Sequence, residues 1–298
     1  MPLITVTGAT GKIGGALSEQ LLENGVTVRA VARNADKLEA LSAKGAEARA
    51  GDVGDAGFLT EAFRDADAVF VLVPPLASVP DLRAAQREIV ASLEEAIKTS
   101  GVSHVVALSS QGGGLPEGTG PIVGLHDMEE MLKSIPGLST IALRPAFFME
   151  NLLTSIPLIK NAGISGSPAR ADVALEMIAT PDIAAEAARY LSAPGFTGYA
   201  VRDLLGPRAY THREAAAILG AAIGRPDLPY VEFPYEDFRQ TILGFGFSPS
   251  VADAYIELYR AYNEERIQST VTRSPENTTP TTLETFAQEV FAPAYGAG

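Results

Sequence analysis

Six short runs with strand character, "LITVT", "VTVRAVAR", "EARAGD", "DAVFVLVPP", "HVVALSS" and "STIALRP", alternate with helical segments through the first half of the chain. In the first helical segment, "KIGGALSEQLLENG", Ile13, Leu17 and Leu21 share one face, and Gly25 stands where a glycine ends a helix. The spacing predicts a long helix over Leu82–Thr99 and another around Met128–Lys133. This alternation is the sequence form of a doubly wound α/β parallel sheet. Such a sheet binds ligands outside the carboxyl ends of its strands. "GATGKIG", "ARN", "GDVGD", "VPP", "SSQGGG" and "RPAFFMEN" each lie at such an end.

The second half has a different texture. All nine tyrosines lie at Tyr190 or beyond, and the last lysine is Lys160. Thr180 followed by Pro181 reads as a helix N-cap with proline at the first helical position. Thr211 with Glu214 reads as a capping box, and so does Thr281 with Glu284. The last helix carries Leu283, Phe286, Ala287, Val290 and Phe291 as its apolar set. The division expected is a ligand-binding sheet domain over 1–153 and a smaller, mostly helical C-terminal lobe over 154–298. Material near 172–204 is expected to return to the main sheet.

The chain contains no cysteine, which excludes disulfides, thiolate nucleophiles and cysteine-ligated metals. Its net charge of -13 opposes phosphate backbones, so no nucleic-acid partner is expected. No apolar run has the roughly 18 residues of a membrane span, and "MPLITVTGAT" carries no basic leader. The expected setting is the cytoplasm, as an enzyme or a sensor, with a homodimer as the oligomer open to it. His104, His126 and His212 form no metal spacing, so no metal is assigned.

Gly8, Gly11 and Gly14 stand between a predicted strand and a predicted helix. In that context the first glycine makes the turn, the second lets backbone approach a pyrophosphate, and the third lets the helix pack closely. The helix N-terminus supplies free N–H groups and a positive dipole end. The loop therefore predicts a dinucleotide. A site for NAD places an acid at the end of the second strand, whereas an arginine suits a 2′-phosphate. Here Arg33 occupies that end, beside Asn34 and Lys37, which predicts NADP(H). Asp52 in "GDVGD" stands where a carboxylate accepts from an adenine amino group, or where it caps a turn.

"VTGATGKIG", "VRAVARN", "GDVGD", "LVPP", "SSQG" and "LRPAFFMENL" together resemble the NmrA-like family of atypical short-chain dehydrogenase/reductases. The tail "SPENTTPTTLETFAQEVFAPAY" is similar to the C-terminal segment of that family. The resemblance implies a Rossmann domain, NADP(H) as cofactor and a small C-terminal lobe. It implies cofactor roles for Gly8, Gly11, Gly14, Arg33 and Asp52. It adds Thr10, Lys12, Ile13, Val73, Pro74 and Ser109 as cofactor neighbours. Activity is left open by it, since the family includes quinone reductases, dye reductases and redox-sensing regulators.

Short-chain dehydrogenases that reduce ketones or epimerise sugars use a Tyr-x-x-x-Lys pair on the helix after the fifth strand. No such pair occurs in this chain, and no tyrosine precedes Tyr190. Ordinary carbonyl reduction and sugar epimerisation are therefore disfavoured. That helix instead offers His126 and Glu130, four apart on one face. His126 is the candidate proton donor, against the alternative of a helix-start histidine bonded to local backbone. Ser109 and Ser110 lack a partner that would make either a nucleophile. Gly112 to Gly114 suggest a lip beside the site. Phe147, Phe148 and Met149 are candidates for an apolar substrate pocket, with core packing as the competing role. Tyr255, Tyr259 and Tyr262 form a stripe that suits core or interface first and a substrate wall second. The expectation is an NADP(H)-dependent reductase of a quinone-like or other conjugated, apolar or aromatic small molecule. The alternative is an NADP(H)-sensing regulatory protein without turnover.

Overall fold

The computed structural model describes residues 1–269 and 271–297. Strands and helices alternate from the start: β1 (Leu3–Thr7), α1 (Lys12–Glu23), β2 (Thr27–Ala32), α2 (Glu39–Ala43), β3 (Glu47–Ala50), α3 (Ala56–Phe63), β4 (Ala68–Leu72), α4 (Leu82–Ser100), β5 (His104–Leu108), α5 (Val123–Ser134) and β6 (Ser139–Pro145). The chain then runs through β7 (Phe147–Phe148), α6 (Ile156–Ala162), β8 (Ser165–Ser167), β9 (Ala174–Ile178), α7 (Thr180–Leu191), β10 (Tyr199–Leu204), β11 (Ala209–Thr211) and α8 (His212–Ala222). It closes with β12 (Tyr230–Glu232), α9 (Tyr235–Gly244), α10 (Pro249–Asn263), α11 (Leu283–Phe286) and α12 (Ala292–Ala297).

The main sheet has seven strands in the order β3-β2-β1-β4-β5-β6-β10. Every pairing in it is parallel. The order reverses between β1 and β4, so their carboxyl ends open a crevice there. One face is covered by α1 and α7, through Leu17, Leu21, Ile183, Ala187 and Leu191. The other is covered by α3, α4 and α5, through Leu59, Phe63, Leu93, Ile97, Met128 and Leu132. α4 shows why these residues make helices. Its buried positions Leu82, Ile89, Val90, Leu93, Ala96 and Ile97 fall on one stripe. Asp81 caps its start by accepting from the Ala84 N–H, and Gly101 ends it at φ +76°. Burying each such leucine or isoleucine stabilises the fold by about 1.5–3 kcal/mol.

Two small sheets, β11-β9-β7 and β12-β8, stand beside the main one. A third core gathers Met149, Ile159, Met177, Tyr210, Leu219, Phe286 and Phe291. Three local expectations are corrected here. Ala179 is the N-cap of α7, and the Thr180 hydroxyl instead donates to Glu150 Oε1 at 2.6 Å. The cap of α11 is Thr282, which accepts from the Thr285 N–H, because Thr281 is held by Asp182. Val290 is exposed, because a π-helical turn over Ala287–Phe291 rotates it away from the buried Phe286 and Phe291. The Thr211–Glu214 capping box is present as the spacing predicts.

Candidate functional site

Gly8 takes φ +65° at the end of β1 and turns the chain into the loop. The Gly11 N–H donates to the Gly8 carbonyl at 2.8 Å. A Cβ on Gly14 would lie 2.7 Å from the Gly8 carbonyl carbon and closer still to its oxygen. Only glycine lets α1 start this near the strand. The helix begins after Gly11 with no side-chain cap and no acid in its first turn. The first-turn N–H groups of Lys12, Ile13 and Gly14 therefore have no intrahelical acceptor. Thr10, Gly11 and Lys12 are exposed beside them, while Ile13 is in the core. A row of free donors at an unneutralised helix start fits a pyrophosphate.

Arg33 follows β2 and is exposed. Beside it, Asn34 Oδ1 accepts from the Lys37 N–H at 3.3 Å, which shapes the turn. Asp52 follows β3, is exposed, and accepts from the Gly54 N–H at 2.8 Å in a turn of its own. Val73 is buried and Pro74 half-buried after β4. The Lys12 Nζ reaches the Glu150 carbonyl at 3.5 Å and so bridges the loop to the chain after β6. Glu150 is itself buried, with Oε1 taken by Thr180 and no partner on Oε2.

At the ends of β5 and β6 the polar groups converge on a residue with no assigned role at the sequence level. Glu129 on α5 is only 2% exposed. Arg144 on β6 grips it with a two-pronged contact, Nε to Oε1 at 2.8 Å and Nη2 to Oε2 at 2.6 Å. The Ser109 hydroxyl donates to Oε1, and the Tyr199 hydroxyl of β10 donates to Oε2 at 2.8 Å. Burial pushes the Glu129 carboxyl up, but these hydrogen bonds outweigh it and hold it below the ordinary carboxylate range. Burial and the neighbouring carboxylate push the Tyr199 phenol up. Ser109 is itself 2% exposed and spends its proton on Glu129. It can meet a ligand only as an acceptor, and only after some opening of this corner.

The glycine lip lies over the cluster. A Cβ on Gly113 would strike the Ser109 hydroxyl and the Glu129 carboxylate, and one on Gly114 would approach Arg144 at 3.1 Å. His126 Nδ1 lies 3.0 Å from the Gly113 carbonyl. A carbonyl can only accept, so Nδ1 carries the proton and Nε2 is the atom free to exchange one. Glu130 does not join His126; it is exposed and pairs with Lys133 at 3.6 Å. Gln111 is buried at the same strand end, with no partner on its amide nitrogen.

Phe147 and Phe148 are half-buried. Phe147 meets the His212 ring edge-on at 6.1 Å and the Tyr262 ring at 6.3 Å. Phe148 packs on the core shared by α1 and α7. Met149 is 0% exposed in the third core and offers no surface to a ligand, so its place among the pocket residues is withdrawn. His212 is buried and stacks on Tyr230 at 5.2 Å; burial lowers its pKa to about 4. Among the described residues no group of acidic and histidine side chains could hold a metal.

Residues 2–287 match the model of the NmrA-like family. The chain belongs to the NmrA-like family. An NAD(P)H azoreductase from Xenophilus azovorans is 33% identical over 297 residues, 99% of this chain and 100% of that one. The (4-alkanoyl-5-oxo-2,5-dihydrofuran-3-yl)methyl phosphate reductase of Streptomyces griseus is 32% identical over 86% of this chain and 85% of its own. An NADPH complex of an Escherichia coli NADPH-dependent quinone oxidoreductase superposes with a TM-score of 0.80 at 25% identity, covering 97% of this chain and 99% of that one. This member of the family is thus a Rossmann-like α/β protein with NAD(P)-binding reductases as its structural neighbours.

Glu129, Arg144, Tyr199 and Gln111 went unassigned at the sequence level. A usable signal existed for two of them. Glu129 lies on the buried stripe of α5 with Gly124, Met128, Met131 and Leu132, and Arg144 is the one charge in the largely buried β6. Charges on two apolar faces of adjacent elements imply each other.

Proposed function

We propose that this chain is an NADPH-dependent reductase of quinone-like and other conjugated small molecules. The carrying observation is the uncapped start of α1 over the Gly8–Gly14 loop, beside strand ends that hold an aromatic ring, Phe147, and no Tyr-Lys pair. The N–H groups of Lys12, Ile13 and Gly14 would hold the pyrophosphate. Arg33 would meet the 2′-phosphate with a charge-assisted contact worth about 1.5–3 kcal/mol, and Lys37 adds positive charge to the same turn. Asp52 would accept from the adenine side, and Val73 and Pro74 would floor the crevice. When bound, NADPH supplies a hydride.

A saturated ketone needs a positioned acid for its developing alkoxide, and none of the usual kind is present. A quinone, azo or enone acceptor delocalises the charge, so its proton can follow. His126 would supply it from Nε2, with the Gly113 carbonyl holding the ring through Nδ1. The acceptor gains one hydride and one proton. The similar proteins named above are reductases of three conjugated classes, azo, unsaturated lactone and quinone. That favours turnover over a sensor.

Calorimetric titration with NADPH and NADH, followed by assays on a quinone, an azo dye and a saturated ketone, tests this reading. NADPH should bind about ten- to a hundredfold more tightly than NADH, and Arg33→Asp should erase the difference. The quinone and the dye should oxidise NADPH, and the ketone should not. Equal affinities would remove the assigned role of Arg33, and equal rates on the ketone would remove the acceptor class.

A further inference from the structure

α10 carries three tyrosines on one face, Tyr255, Tyr259 and Tyr262, at spacings of four and three. Its other faces are accounted for. Val251, Ala252, Ile256 and Ala261 are buried. Ala254 and Leu258 bring backbone against Gly120, where an added Cβ would lie 3.0 Å from the Ala254 carbonyl carbon. Asp253 pairs with Arg239 at 2.6 Å, and Arg260 lies over the Tyr235 ring at 5.3 Å. All three tyrosines are half-buried, Tyr262 with one side packed on the third core.

We infer that this face is the acceptor subsite of the proposed reductase, built for an extended planar aromatic acceptor of several rings rather than for a compact one-ring quinone. The inference rests on the reductase reading and names its substrate class. Continuity carries it. Phe147 leaves the end of β6, the strand beside Ser109 and the lip, and Tyr262 meets it edge-on at 6.3 Å. Along α10 the row continues to Tyr259, braced edge-on by Phe238 at 5.1 Å, and to Tyr255, braced by Phe247 at 5.9 Å. Braced rings standing edge-on to their supports present flat faces and rims to a flat partner. Burial pushes all three phenols up, Tyr259 to about 12, so they stay uncharged hydrogen-bond donors at neutral pH. No lysine, arginine or carboxylate belongs to the row. A row of half-buried rings edged with neutral donors suits fused or linked aromatic rings that carry carbonyl, azo or acidic oxygen acceptors.

The test compares kcat/KM for phenanthrenequinone and p-benzoquinone, with NADPH, in wild type, Tyr255→Ala and Tyr255→Phe. The ratio of the two should fall about three- to tenfold in Tyr255→Ala, the range of one lost aromatic contact. The loss should sit in KM, and Tyr255→Phe should restore it. An unchanged ratio in a folded Tyr255→Ala variant that binds NADPH normally overturns the inference. A second measurement needs no variant: phenanthrene carboxylate, which cannot accept a hydride, should bind wild type and compete with phenanthrenequinone. Failure of that binding overturns the subsite even if quinones are reduced. If no acceptor is reduced yet phenanthrene carboxylate binds and Tyr255→Ala weakens it, the reductase reading fails while the aromatic site stands.

Discussion

Glu129→Ala is expected to be the most damaging single change outside the hydrophobic cores. The carboxylate is 2% exposed and receives Arg144 twice, Ser109 and Tyr199. Removing it strands a guanidinium that is itself only 20% exposed at the side chain. Breaking a buried pair from one side costs about 3–5 kcal/mol. Unfolding entropy near 2.1 cal/mol/K per residue, over 298 residues, is about 0.6 kcal/mol/K. The melting temperature should therefore drop by about 5–8 °C. Replacing both Glu129 and Arg144 with methionine should recover most of the loss, because neither charge is then left alone. The effect also has a pH signature. The carboxyl's folded pKa lies below its ordinary 4.5, so its stabilisation is complete above the unfolded value and is lost as pH falls through the folded one. The gap between the melting curves of wild type and Glu129→Ala should narrow steadily as pH falls from the ordinary carboxylate value through the lower folded one. Scanning calorimetry from neutral pH into that acid range decides it. A drop under about 2 °C at neutral pH, or a gap that persists in acid, would refute the reasoning.

Gly14→Ala should leave the circular dichroism native and weaken NADPH at least about tenfold, since the new methyl meets backbone of Gly8 that cannot swing aside; unchanged calorimetric affinity would mean the loop holds something else. His126→Ala should cost quinone turnover roughly 10²-fold or more; a loss under about threefold would make His126 structural. His212 is held neutral, its pKa lowered to about 4, so the unfolded chain takes up a proton that the folded one refuses between about pH 6.5 and 4. Stability is lost as pH falls through that window, by at most about 3 kcal/mol. His212→Phe should shrink the loss in an acid melting series, and an unchanged series would contradict the burial argument.

Strands covered on both faces are written as short apolar runs, which makes β1, β2, β4, β5 and β6 legible, and the chain punctuates them with helices of clear period; the edge strand β3 is exposed throughout and is legible only from its place between two helices. Strands of two or three residues, such as β7, β8, β11 and β12, lie below what periodicity registers. Caps divided by where their partners sit. Thr211 and Glu214 satisfy each other locally and are readable. Thr180 and Thr281 found distant carboxylates, Glu150 and Asp182, that no local pattern announces. The same holds at the site. The glycine loop is a local device, and the turn at Gly8 and the close helix approach at Gly14 were readable from it. Glu129 and Glu130 look alike in sequence; the facing of α5 alone buries the first against Arg144 and leaves the second in water. Phe147 and Met149 are two apart, yet one is half-buried against His212 and Tyr262 and the other is sealed in the third core, because the chain leaves the strand between them.

Direct hydride transfer to a conjugated acceptor is tested most directly by single-turnover oxidation of bound NADPH on mixing with phenanthrenequinone, using cofactor deuterated at either face of C4. Oxidation should run to one equivalent and should slow for one face only. Tight binding of NADPH with no oxidation by quinone or azo dye would contradict the reductase reading.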